Sequence, residues 1–471
     1  MNNPATVRSM TDSNSSVFEF SLRTRQESIL ASTGKIFDFF IVGGGINGAG
    51  ICNLISANGR SVFLSDKGDF AAGTSSGSSK LIHGGLRYLA NFEFREVRNL
   101  LKERNYLLKN VDFVKPLDFS VLVDEYSWRK VTLRLGLFLY NLLGGKLKIP
   151  KYHRNSGEFP KGIRGYFSYL DSATDDAFLV ISNIVTSQMQ GAVCVNYSMV
   201  NAIRRSGEIW EVSLEDLTTG RSFTIRSKVL INAAGPWAGD ILTILNGQRD
   251  GRFKLSKGIH IVVPSSLYGR SSAVVFRSHI DRRQMFIIPR GEVTHIGTTD
   301  TFTESSEDWK CLEDEIDYVV KSAARIIPEL NRDHVINCFT GIRPLYGGGE
   351  DPGSVTRKSE ISWKDGVLSI LGGKITDFRI TARHVAKLLN SHCGSNLHMD
   401  GLPEIKYHRD SSDIIDQAIM RECAVTVEDI LRRRTGSRVF SLDLGRSIEK
   451  TAESRLQNFK SGIPTDQALQ K

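Results

Sequence analysis

Six cysteines among 471 residues, Cys52, Cys194, Cys311, Cys338, Cys393 and Cys423, lie scattered with no C-x-x-C pair. That spacing argues against a zinc site or a disulfide scaffold and suits a reducing compartment. No stretch approaches the roughly 18 unbroken apolar residues of a membrane-crossing helix. Residues 1–34 are polar and Ser/Asn/Thr-rich, without the apolar run of a secretory signal, and read as a disordered tail on a cytoplasmic protein. There is no recognised nucleic-acid-binding module, no long basic run and no internal repeat. The net charge of +9 therefore points away from nucleic acid, towards a phosphorylated substrate or an anionic membrane surface.

What is present is concentrated near the start. Phe37 to Val42 is an apolar run suited to a strand buried on both faces. Gly43, Gly45 and Gly48 follow at the spacing G-x-G-x-x-G and open a helical stretch from about Ile46 to Ala57. The first glycine permits a tight turn, the second lets a pyrophosphate approach the backbone, and the third lets helix and strand pack closely. A second strand, Ser61 to Ser65, ends at Asp66, where a carboxylate would bond a ribose hydroxyl. Strand, glycines, helix, strand and acid in that order predict a dinucleotide site.

Thr74, Ser75 and Ser79 then precede His83-Gly84-Gly85-Leu86-Arg87-Tyr88, a run whose hydroxyls and backbone N–H groups can surround a phosphate or a flat ring. A helix is predicted from Glu93 to Lys109 and a strand from Phe119 to Val123. Trp128 to Leu143 is apolar in the middle and basic at both ends; it reads as a core helix with basic flanks or as an interfacial segment on anionic lipid. Alternation at Ala192–Val200, Ile209–Leu214 and Phe223–Ile225 predicts a small meander before a buried strand, Lys228 to Ala234, that runs into Gly235-Pro236-Trp237. Further strands are predicted at Leu255–Pro264, Ala273–Phe276, Met285–Pro289, His295–Asp300 and Val367–Leu371, and a helix over Trp309–Ile327. The strand at Val367 leads to a second glycine turn, Gly372-Gly373-Lys374-Ile375-Thr376, at a helix start. Beyond Gly401, Ala418–Arg434 and Arg446–Phe459 read as charged amphipathic helices, with Arg432-Arg433-Arg434 as a solvated helix end.

These motifs, together with Lys257-Gly258-Ile259-His260, Gly297-Thr298-Thr299-Asp300 and Gly341-Ile342-Arg343-Pro344-Leu345, resemble the FAD-dependent glycerol-3-phosphate dehydrogenase family of the amino-acid-oxidase-like flavoproteins. The likeness runs from about Phe37 to Arg383. It implies an α/β fold: a Rossmann-type FAD-binding domain (about 35–110, 178–250 and 340–400) interleaved with an antiparallel-sheet substrate domain (about 111–177 and 251–339), plus a small helical domain over 401–471. It implies FAD held by Gly43, Gly45, Gly48, Asp66, Thr74, Ser75, Ser79, His83, Gly235, Gly373, Lys374 and Thr376. Oxidation of sn-glycerol 3-phosphate would follow, with electrons leaving to a quinone and the protein peripheral on the cytoplasmic face of the inner membrane.

Removing a hydride from a secondary alcohol needs a base for its hydroxyl proton, and His260 is the first choice, His83 the second. A dianionic phosphate needs cations, and Arg87, Arg343 and Lys374, with Tyr88 beside them, stand in restricted turns that could aim them. The partners expected are a polyol phosphate, a quinone and the membrane surface, with a homodimer as a further option and neither metal nor nucleic acid. The chain departs from the family's pattern at Phe178, Ala234 and Asp377-Phe378, and its helical tail is short. Erythritol phosphate as substrate, an oxygen-using oxidase and an inactive FAD-binding relative stay open as alternatives.

Overall fold

The computed structural model describes residues 18–124, 127–247, 253–347, 359–399 and 403–463, without the side chains of residues 127–129. Among the described residues the strands form two sheets, of eight and ten strands. The first is built on Ile36–Val42, whose Phe39, Phe40 and Ile41 are buried as a two-faced parallel strand requires. It pairs in parallel with Arg221–Asn232 on one side (Phe40 opposite Leu230) and with Val62–Ser65 on the other (Phe40 opposite Phe63). Val193–Val195 extends the sheet beyond Val62–Ser65, and Val367–Leu371 and Glu360–Lys364 extend it beyond Arg221–Asn232. Helix Ile46–Ala57 packs on this sheet against helices Asp176–Met189 and Phe378–Cys393.

The last strand of the meander and the buried strand after it are one element rather than two. Arg221–Asn232 pairs antiparallel with Ile209–Asp216 over its first half and parallel with Ile36–Val42 over residues that reach Asn232. Charged residues Lys228 and Arg226 face outward along it and hide the continuity in the hydropathy pattern.

The second sheet centres on the long strand Phe253–Pro264, which pairs antiparallel with Asn337–Tyr346 and with Val293–Gly297. Period-two alternation sends Ile259, Ile261 and Val263 into the core capped by helix Glu313–Ala324. His260 and Val262 face the other way, towards Phe339 and, beyond it, Val439 of the C-terminal helices. The two sheets meet where Gly77 touches strand Asn337–Tyr346: a Cβ on Gly77 would lie 2.3 Å from the Thr340 carbonyl, and one on Gly341 would lie 2.3 Å from that of Gly77.

The expected loose tail is ordered in part. Leu22–Ser32 is a helix begun by a capping box at Ser21. Its Leu22 and Ile29 are buried, and Arg25 sinks to bond the Asn196 carbonyl and Asp216. Polar composition concealed it because its anchor is a buried arginine; residues 1–17 lie outside the described residues. The expected helix 418–434 is broken. Ile414–Met420 ends, and Asp429 then takes the Val425 and Thr426 N–H groups to start a new turn, Asp429–Arg434. Arg433 and Arg434 at its end are buried rather than solvated.

Helix Ser127–Leu143 packs one side into the core, as the first reading of its sequence requires. Leu137 and Tyr140 are buried, and the Tyr140 hydroxyl donates to Asp171 while accepting from the Gly84 N–H. On the other side Val131 and Leu135 are 71% and 58% exposed.

The tightest constraint is the glycine turn. A Cβ on Gly48 would lie 1.9 Å from the Gly43 carbonyl oxygen, and Gly43 has φ +107°. Gly48→Ala is therefore expected to yield protein without bound flavin, or none that folds, whereas Ala at Gly136, with open space around it, keeps its flavin absorbance; a visible spectrum of the two purified variants checks this.

Candidate active site

A single cavity of about 1120 Å³ runs from the glycine turn of the first sheet to the inner face of the second. That exceeds the roughly 300–1,000 Å³ of an ordinary small-molecule pocket and suits an elongated ligand. Gly43, Gly45, Asp66, Thr74, Ser75, Ser79, His83, Arg87, Tyr88, Gly235, Arg343, Gly373, Lys374 and Thr376 all line it. Two of the sequence-predicted residues do not. Gly48 sits behind the turn, where its missing side chain admits the Gly43 carbonyl. His260 lies behind Ser79.

At one end, helix Ile46–Ala57 starts at Gly45 with no side chain capping it, so its first turn offers backbone N–H groups to the cavity. Ser75 Oγ accepts from the Ile46 N–H at 2.9 Å and holds the serine loop against that turn. Asp66 accepts from the Gly44 N–H at 2.6 Å and the Gly68 N–H at 2.8 Å. Burial pushes its carboxyl up to about 6 against the pull of these two donors. The Oδ1 of Asn47, in the first turn of the helix, is buried without a partner. A helix start facing the cavity, a carboxylate beside the glycine turn and an orphaned acceptor fit a dinucleotide.

The other end is rich in cations. Arg343 donates to Asp300 at 3.1 Å and to Thr298 Oγ1 at 3.0 Å. It crosses the backbone at Gly258, where a Cβ would come within 2.3 Å of its guanidinium. Lys374 is paired with Glu96 and lies 4.4 Å from the centre of the Tyr88 ring. Burial opposes its charge, but Tyr88, Asp377 and Glu96 more than offset that and raise it above the ordinary lysine range. Asp377 is pushed up to about 6 by burial, opposed by Lys374. Arg277, Arg283 and Gln284 also line this end, and Arg283 donates to the Asp300 carbonyl at 2.9 Å. Sequence reading passed over them because they flank the turn between strands Ala273–Arg277 and Gln284–Arg290, where no motif marks them.

His260 is 1% exposed, its ring stacked on Phe339 at 5.0 Å. Nε2 lies 3.0 Å from Ser79 Oγ, and Nδ1 has no partner. Burial, then the positive charges of Arg343 and Lys80, push it down to about 3, so the imidazole is neutral. His83 stands at the cavity wall, its N–H donating to Thr376 Oγ1 at 3.3 Å.

A group at the mouth was missed altogether. Glu307 accepts from Lys67 and from the Trp237 indole N–H, each at 2.6 Å, and Trp309 stacks on Trp237 at 5.8 Å. They lie far apart in sequence, and no motif unites them. Of the unusual positions, Ala234 lines the cavity but Phe178 does not. Phe178 packs against Phe113, with the Arg409 guanidinium 3.8 Å from its ring centre. Phe378 fills the space left by Gly50, where a Cβ would meet it at 2.6 Å.

Comparison with known proteins gives the family and the fold. The FAD dependent oxidoreductase family matches residues 38–387. The aerobic glycerol-3-phosphate dehydrogenase of Bacillus subtilis is 35% identical over 391 residues, covering 79% of this chain and 70% of that protein. The D-erythritol 1-phosphate dehydrogenase of Brucella abortus is 38% identical over 363 residues, covering 73% and 71%. Among solved structures, the FAD complex of glycerol-3-phosphate dehydrogenase from Bacillus halodurans superimposes with a TM-score of 0.76 at 24% identity, covering 95% of each chain. Its cofactor is FAD, and the chain belongs to the FAD-dependent glycerol-3-phosphate dehydrogenase family.

Proposed function

We propose that the protein oxidises sn-glycerol 3-phosphate to dihydroxyacetone phosphate and passes the electrons to a quinone at the membrane surface. The observation that carries this reading is the single cavity joining a dinucleotide turn to Arg87, Arg343 and Lys374. Bound FAD supplies the hydride acceptor. Arg343, its fork set by Asp300 and Thr298, binds the substrate phosphate together with Arg87 and Lys374. Ser79 Oγ takes the substrate's hydroxyl proton and hands its own to Nε2 of neutral His260. The Brucella relative, with its slightly higher identity, supports a second reading in which the same residues act on an erythritol phosphate.

Reduction of the purified flavoprotein under anaerobic conditions tests this. Bleaching of the flavin band by sn-glycerol 3-phosphate but not by an erythritol phosphate is the expected result, and the reverse selects the second substrate. Arg343→Ala should raise KM about tenfold or more at unchanged FAD content, since it removes charge-assisted hydrogen bonds; an unchanged KM takes Arg343 out of the phosphate site.

The proton route has its own signature. His260→Asn should slow flavin reduction about 100-fold or more, and Ser79→Ala should slow it too. Because the folded pKa of His260 is depressed, its neutral form persists as pH falls through the ordinary value of about 6.5. Reduction should show no loss of this base there, while stability declines on acidification because the unfolded chain binds the proton. A reduction rate in His260→Asn equal to wild type would move the role to His83.

Peripheral attachment is the remaining part of the proposal. Among the described residues no helix is long and apolar enough to cross a membrane. Helix Ser127–Leu143 and the chain beyond it expose Val131, Leu135, Leu142, Leu147 and Ile149 beside exposed Lys130, Arg134, Lys146 and Lys148. Apolar side chains bordered by cations suit the surface of an anionic bilayer. Wild-type protein should float with anionic liposomes and Lys130→Glu/Arg134→Glu/Lys146→Glu/Lys148→Glu should not; equal flotation would place the contact elsewhere.

A further inference from the structure

Arg433 and Arg434 lie beyond the residues the family matches, yet they reach into the FAD-binding domain. Arg434 is completely buried and grips Asp69 with both ends of its fork, donating to Oδ2 and, at 2.9 Å, to Oδ1. Arg433 donates to Asp69 Oδ2 at 2.6 Å, and Asn196 to Oδ1 at 3.0 Å. Asp69 is itself 1% exposed. Its carboxyl is held at about 2: burial opposes this, and Arg434 and Arg433 outweigh it. Both arginines are fixed from behind, Arg433 by Asp429 and Arg434 by the Glu422 carbonyl.

Asp69 belongs to the loop that shapes one wall of the cavity. Three residues earlier, Asp66 holds the Gly44 N–H of the glycine turn, and two residues later the Ala71 N–H donates to the Gly44 carbonyl at 3.1 Å. The loop's outer side is tied to Asn196–Ser198: Tyr197 N–H donates to the Gly68 carbonyl and Ser198 N–H to that of Asp66. The Tyr197 hydroxyl in turn donates to Asp429 at 2.7 Å. The segment Asp66–Ala71 is thus held between the cofactor turn and the C-terminal helices.

We infer that Arg433 and Arg434 are positioning residues for the cofactor: through Asp69 they hold the loop that presents Asp66, so the C-terminal helical unit sets how long FAD stays bound. A buried carboxylate deprived of a partner must rehydrate or move, and the loop moves with it. The inference rests on the proposed role of Asp66 at the FAD ribose.

The test follows release of FAD from the holoenzyme by the rise in free-flavin fluorescence on dilution. Arg433→Met, which leaves the bidentate Arg434 grip in place, should release FAD about tenfold faster. The conservative Arg433→Lys should fall between it and wild type. Arg438→Met is the control, since Arg438 lies in the same helical unit but pairs with Glu428 and Glu449; it should release at the wild-type rate. If Arg433→Met does not fold, Arg433→Lys decides by the same measurement. Wild-type release from the Arg433 variant that folds, or equal acceleration by Arg438→Met, overturns the inference. Asp66→Asn separates the two claims: fast release there beside slow release from the Arg433 variant leaves the ribose role standing and removes the clamp, and slow release from both removes the ribose role as well.

Discussion

Everything in this fold hangs on how closely one helix approaches one strand. The Gly48 Cα lies against the Gly43 carbonyl with no room for a methyl group. That contact brings the start of helix Ile46–Ala57 to the carboxyl ends of the parallel strands, the crevice where open α/β sheets bind their ligands. Gly43 meets the Ala233 carbonyl in the same way, a Cβ there lying 2.5 Å away. The end of the neighbouring strand Arg221–Asn232 is thereby placed beside the turn. Two glycines thus set the floor of the cofactor site, and the remaining elements are arranged around it.

The second close approach, Gly77 against Gly341, joins that floor to the second sheet. Because strand Asn337–Tyr346 pairs along Phe253–Pro264 with His260 opposite Phe339 and Ser256 opposite Arg343, locating Gly341 also locates His260 and Arg343. One backbone contact therefore fixes how far these two side chains lie from the serine loop that holds Gly77. Thr74 reinforces it by donating to the Ile342 carbonyl.

Buried charge does the rest. Lys80 with Asp176, Arg104 with Asp171, and Asp69 with two arginines are each nearly or wholly withdrawn from water. Such pairs contribute little net stability over well-packed apolar groups, but removing one partner costs about 3–5 kcal/mol. They act as locks on geometry. Burial, with the charges of Arg343 and Lys80, also keeps His260 uncharged.

Much of this was written in local pattern. The run Phe37–Val42, the glycine spacing, Asp66 and the second turn at Gly373 are contiguous signals whose physics is local: strand period, positive φ and a helix start. They determined the fold class, the cofactor and part of the cavity wall. Tertiary structure alone decided which polar residues are withdrawn from water. Arg25, Arg433 and Arg434 look like surface charges because their partners, Asn196, Asp216 and Asp69, are remote in sequence. His260 looks like a wall residue, yet it lies behind Ser79 because its strand turns that face towards Phe339. The clasp of Lys67, Trp237 and Glu307 has no sequence signature, since three segments must fold before those groups meet. Periodicity reports which face of an element is buried; only packing decides what that face is buried against.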